Sequence, residues 1–320
     1  MELLCFLGIA AAVFINGFTD APNAMATAVC TRALRPVTAA ALGGVCNFLG
    51  VLVMYRLNSS VADTISSLVR IPPGAGQAVV LAALLTIALW GFFGWTLGVP
   101  TSESHGLIAG LTGGALAVNW SMQSVDLAQW AKVLKGFVIS VAFGFIAGYL
   151  VAAILALLAD GRGRFRTERA IDRGQVAFLC CTAFLHGAQD GLKFLGAYRY
   201  AVGEIGALAL VTVSAVMTVG TLMGGFKIIK KVGMDMVRME KYQGLASDVA
   251  SSVGLLTASL TGVPVSTSHI KTTAIVGACA RQSVKKVNVS VVVDIFKGWL
   301  YTFPVCGVLG FFLTKFLIRL

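Results

Sequence analysis

The sequence predicts an all-α polytopic membrane protein, made of two inverted repeats whose broken or re-entrant helices meet at the membrane midplane. Three observations predict it. Of the 320 residues, 57% are hydrophobic and only 12% charged, where soluble domains carry about 25% charged residues. Apolar runs long enough to cross about 30 Å of hydrocarbon recur along the whole length. The two halves also resemble each other: NGFTD (16–20) aligns with HGAQD (186–190), and GVPTSESH (98–105) with GVPVSTSH (262–269), in the same order. A barrel would instead show alternating segments of about ten residues.

The elements follow in order. The run 3–30 reads as a span interrupted by NGFTDAPNA (Asn16 to Ala24). It lacks a basic n-region and carries polar residues, so it is not a cleavable signal. Spans at 37–56, 76–98, 104–119 and 130–159 complete the first repeat, 1–159. A basic cytoplasmic linker, 160–174, precedes the second repeat, 175–320, with spans at 175–199, 203–226, 244–262, 266–281 and 290–318. Pro100 and Pro264 end one helical segment in each half, because a residue before proline avoids the α region.

Charge sets the expected orientation. With the N-terminus outside, and 76–98 and 104–119 entering and leaving on one face, each half crosses an odd number of times and the halves are inverted. Fifteen of the 25 Lys and Arg then lie in inside loops, as the positive-inside rule requires, and both termini lie outside. Lys132 and Lys135 fall on the wrong side, and Lys193, Lys271 and Lys297 fall in or at the edges of spans. The net charge of +11 is therefore assigned to orientation, and no nucleic-acid partner is expected. The seven cysteines show no CxxC spacing and read as reduced core thiols.

Two kinds of motif carry the chemistry. Ser102, Ser104, Ser266 and Ser268 stand where helical segments restart after a proline, where hydroxyls cap free N–H groups. A helix start aimed into a protein-lined cavity is an anion site; close packing of two kinked helices would place the same residues. Asp20, with Asn16, Thr19 and Asn23, gathers hard oxygen ligands suited to a small cation or a proton. The second copy offers His186, Gln189, Asp190 and Lys193. Lys193 either pairs with Asp190 or contacts an anion, replacing a bound cation. His105, His186 and His269 all lie beside these motifs, which admits a metal or proton-relay reading. Asp294 and Lys297 are spaced to pair, and Asp248 has Leu84 as its first-half counterpart.

On these residues the chain resembles the inorganic phosphate transporter (PiT) family. NGFTDAPNA is similar to the family's GANDxANA signature, and HGAQDGLKFLG to the second copy in its HGANDxxK form. GVPTSESHGLIAG and GVPVSTSHIKTTAIVGA resemble its two re-entrant segments. GGFKIIKKVGMDMVRMEKYQGLASDVASS resembles the stretch leading into the second of these. The resemblance implies a secondary symporter in the cell membrane that carries inorganic phosphate with H⁺ or Na⁺ by alternating access. It implies no enzymatic activity and no cofactor, with phosphate and the bilayer as partners and a homodimer as an oligomeric form. Ser102, Ser104, Ser266, Thr267 and Ser268, with Gln189 and Lys193, would hold the anion. Asn16, Thr19, Asp20, Asn23, Asp190 and Glu103 would serve the coupling cation or proton. Thr19 and Gln189 depart from the family's usual Asn, and Glu103 stands where it has a small polar residue. Sulfate or another oxyanion is an alternative substrate. An intramembrane metal-dependent hydrolase built on the three histidines and the aspartates is an alternative of another class.

Overall fold

The computed structural model describes residues 1–159 and 164–319. The first half contains α1 (Glu2–Thr19), α2 (Pro22–Cys30), α3 (Pro36–Leu57), α4 (Ser60–Ser66), α5 (Gly76–Leu97), α6 (Glu103–Asn119) and α7 (Leu127–Ala159). The second contains α8 (Arg164–His186), α9 (Leu192–Val202), α10 (Ala207–Met223), α11 (Phe226–Lys230), α12 (Lys241–Thr261), α13 (Thr267–Ala280) and α14 (Val289–Leu317). The stretch read as a linker is thus helical from Arg164 onward, and α8 runs straight from it into the following span.

Each break has a local cause. Pro22 lacks an N–H, so α1 stops at Thr19 and Pro22 opens α2. Its counterpart is Leu192, and there the chain only widens into a π-helical turn, Gly187–Gly191, between α8 and α9. Between α5 and α6 the chain reverses at Gly98 (φ 65°), and between α12 and α13 at Gly262 (φ 67°). A side chain rarely adopts this left-handed conformation. The prolines two residues later keep the chain extended until Ser102 and Ser266 start the next helices.

Among the described residues, five segments are long and apolar enough to cross a membrane: Glu2–Cys30, Pro36–Leu57, Gly76–Leu97, Leu127–Leu158 and Val289–Leu317. Ala207–Met223 with Phe226–Asp235, bent by 60°, makes a sixth. The expected spans at 175–199 and 244–262 lie on α8, α9 and α12, which carry many of the buried polar side chains. Those at 104–119 and 266–281 fold as α6 and α13, of 17 and 14 residues. At 1.5 Å per residue they are about 26 and 21 Å long, short of the hydrocarbon thickness.

Packing is reciprocal between the halves. α1 lies on α10 as α3 lies on α8; α1 on α5 as α8 on α12; and α6 on α14 as α13 on α7. The closest crossings repeat as well. A Cβ at Gly17 would sit 2.2 Å from the Met217 carbonyl oxygen, and one at Gly187 2.3 Å from that of Asn47. Gly50 and Gly220 meet the carbonyls of Phe184 and Phe14 at 2.0 and 2.3 Å. Small residues let helix backbones touch where lipid offers no hydrophobic drive for association. Gly220→Ala should therefore destabilise the protein by about 1–3 kcal/mol in thermal unfolding. Gly206→Ser, at a helix N-cap with open space around it, should leave the transition nearly unchanged.

Candidate functional site

The two interrupted regions of each half converge on one buried polar centre. Ser102, the N-cap of α6, and Ser266, the N-cap of α13, meet hydroxyl to hydroxyl at 3.0 Å. Ser266 also contacts Ser268 at 2.9 Å, and Ser102 bonds the His105 Nδ1 at 2.8 Å. The free N–H groups and positive dipole ends of α6 and α13 therefore face a common point.

Around that point stand the acids. Asp20 accepts from the Asn23 amide at 2.8 Å and from the Thr267 hydroxyl at 3.2 Å. The same hydroxyl lies 3.4 Å from Asp190, so Thr267 bridges carboxylates from opposite halves. Asp190 also accepts from Asn16 and from Ser104, both at 3.1 Å. Lys193 Nζ bonds Asp190 Oδ1 at 2.8 Å and Ser104 at 2.9 Å, and donates to the Val265 carbonyl. Glu103 accepts from the Thr19 hydroxyl. All of these side chains are buried, none more than 5% exposed, so the centre is occluded.

Its electrostatics are unbalanced. Asp20, Glu103 and Asp190 face a single lysine, a formal charge of −2. Among the described residues, neither Asp20 nor Glu103 has a lysine or arginine partner. Three acceptor oxygens in the centre lack a donor: Asn16 Oδ1, Asn23 Oδ1 and Glu103 Oε2. One donor atom from each of Asp20, His186 and Asp190 lies within 4.8 Å of the others, a grouping able to hold a metal ion. At that separation two carboxylates repel by about 3.5 kcal/mol at an effective dielectric of 20. Cations relieve this, and an anion arriving alone would add to it.

Most of the residues singled out from the sequence are thus brought together, with two corrections. Gln189 donates to Ser259 on α12 at 3.0 Å and, among the described residues, makes no hydrogen bond to the helix-start serines. The histidines do not assemble: His186 lies 3.4 Å from Asp190, whereas His105 and His269 stack at 4.9 Å between centroids, beside Phe137, Phe303 and Trp299. Asp294 and Lys297 are 3.8 Å apart and exposed. Two features escaped the sequence reading. Asn47 bonds His186 at 3.0 Å and Thr221 at 3.0 Å; its place in the middle of an apolar run was a usable signal. Asp248 and Lys271, each noted in the sequence but not as partners, form a second fully buried ion pair, joined by Thr27.

A polytopic helical bundle with two helix starts opposed across an occluded acidic centre belongs to the class of membrane transporters. The chain belongs to the phosphate transporter family, whose model matches residues 16–310. Among similar proteins, the "Probable low-affinity inorganic phosphate transporter" of Bacillus subtilis is 30% identical, over 93% of this chain and 91% of its own. That of Rhizobium meliloti is 29% identical, over 93% and 90%. A solved structure described as the sodium-dependent phosphate transporter superposes with a TM-score of 0.88 at 20% identity, covering 100% of this chain and 99% of its own. These relatives are transporters, which sets the hydrolase alternative aside.

Removing one partner of a buried ion pair leaves an uncompensated charge. Lys193→Met should lower stability by about 3–5 kcal/mol. Adding Asp190→Asn should restore most of the loss, as read by thermal unfolding in detergent.

Proposed function

We propose that this protein is a symporter that carries inorganic phosphate with a small cation, H⁺ or Na⁺, by alternating access between two inverted repeats. The observation that carries the reading is the mixed character of the centre. Two helix starts lined with Ser102, Ser104, Ser266, Thr267 and Ser268 suit a tetrahedral oxyanion. The carboxylates interleaved with them repel that anion until they are neutralised. Binding of the anion and of the cation then each favour the other, and that mutual dependence is the coupling.

Asp20, with Asn16 and Asn23, offers the cation its oxygens. Asp190 is already answered by Lys193, which stands where the first half has Asn23 and serves as a tethered cation. Glu103, held by Thr19, is a second carboxyl that must be neutralised when phosphate is bound. The sodium dependence of the structural neighbour supports Na⁺, and the buried Glu103 supports H⁺. The reciprocal packing of the halves supports a two-fold relation between repeats 1–159 and 175–320. The distribution of Lys and Arg supports placement in the cell membrane with both termini outside.

Proteoliposomes given Na⁺ and pH gradients separately test the reading. Labelled phosphate should accumulate under one of them. Asp20→Asn should abolish accumulation while the protein stays monodisperse; normal uptake by that variant rules out the assigned role. Sulfate in excess should leave phosphate uptake intact, and strong competition by sulfate would make the substrate a broader oxyanion class.

A further inference from the structure

The two halves share a frame but differ in what lines it next to the centre. On α2, Asn23, Thr27 and the C-cap Thr31 follow one another at four-residue steps, one face of a helix. On α13, Thr267 and Lys271 have the same spacing. The second level of this ladder lies about 6 Å beyond the first, by helical rise. There Thr27 donates to Asp248 at 2.7 Å, and Lys271 bonds Asp248 and reaches Thr27 at 3.3 Å. At the third level Thr31 donates to Gln175 at 2.9 Å, next to the loop bearing Arg32 and Arg35. Asp248 Oδ2 is buried with no donor.

The counterparts in the other half are apolar. Thr27 corresponds to Ala197, Lys271 to Leu107 and Asp248 to Leu84, by the offsets that relate the repeated motifs. All three are 0% exposed and belong to one hydrophobic cluster. The frame therefore accepts leucine at these places, and a buried ion pair is rarely more stabilising than well-packed apolar residues. The fold does not require Asp248 and Lys271.

We propose that Thr27, Asp248 and Lys271 form a second oxyanion station on the route between the central site and the face carrying Arg32 and Arg35. With the station empty, Asp248 occupies Lys271 as an internal anion. The phosphate leaving the centre displaces it, using the ammonium and the Thr27 hydroxyl as donors, and Asp248 then recaptures the lysine and returns the anion to its path. The mirror-image side, sealed by leucines, has no such station. This inference rests on the transport reading and deepens it.

Equilibrium binding of labelled inorganic phosphate and uptake into proteoliposomes test it together. Asp248→Leu with Lys271→Leu, copying the opposite half, should fold, keep phosphate binding at the centre, and lower uptake by about tenfold. Uptake at the unaltered rate by this variant overturns the proposal, and so does loss of central binding. Asp248→Asn, a smaller change, keeps the test valid should the leucine pair fail to fold. It frees Lys271, so it should bind a second phosphate per chain and slow its release; unchanged stoichiometry and rate overturn the proposal. Failure of the unaltered protein to bind phosphate overturns instead the transport reading, and this inference with it.

Discussion

Burial of charge in a low-dielectric bundle governs this molecule. Asp20, Glu103, Asp190 and Lys193 sit where an unpaired ion costs several kcal/mol, and the surrounding architecture answers that cost. The Asp190–Lys193 contact cancels one charge. Thr267, Asn16, Asn23 and Ser104 turn donors onto the carboxylates. The helix breaks exist for the same reason. An unbroken α1 would spend its N–H and C=O groups internally, and unbroken spans in place of α5–α6 and α12–α13 would leave no helix start to face the centre.

Bringing such elements together needs close contact between backbones, and the glycines supply it. Gly17, Gly50, Gly187 and Gly220 let α1 and α10, and α3 with the α8–π segment, approach until a single methyl group would collide with a carbonyl. Because each crossing recurs in the other half, the centre lies between two equivalent walls. Residues from opposite halves then meet as partners: Ser102 with Ser266, Asn16 with Asp190, and Asp20 with Asp190 through Thr267.

Much of this was legible in the sequence, for physical reasons. A duplicated motif signals a duplicated site whatever its geometry, and a proline or an aspartate inside an apolar run is too costly to be incidental. The serines at helix starts and the meeting of Asp20 with Asp190 follow from that logic. What escaped depends on three-dimensional register. Gln189 has the same neighbours in sequence as the site residues, but it lies in the π-helical turn and donates to Ser259. The histidines share a motif context, yet His105 and His269 stand among aromatic rings while His186 joins the acids. Asp248 and Lys271 are 23 residues apart on separate helices, and their pairing becomes visible only when α12 and α13 are packed together.

The departures from symmetry lie in the side chains that line the frame. A frame of two equivalent halves has two opposed conformations of equal energy if its linings are equal too. Here they are not. Lys193 replaces Asn23, so Asp190 carries a lysine partner while Asp20 has the Asn23 amide in its place. Glu103 replaces Thr267, so a carboxyl stands at one helix start and a hydroxyl at the other. Beyond the centre, Thr27, Asp248 and Lys271 line one side and Ala197, Leu84 and Leu107 the other. A polar lining receives water and ions more readily than leucine does, so the two linings beside the centre are not equivalent. On the proposed symport reading, that difference, imposed by side chains on two similarly packed halves, would let the carrier load and unload on unequal terms.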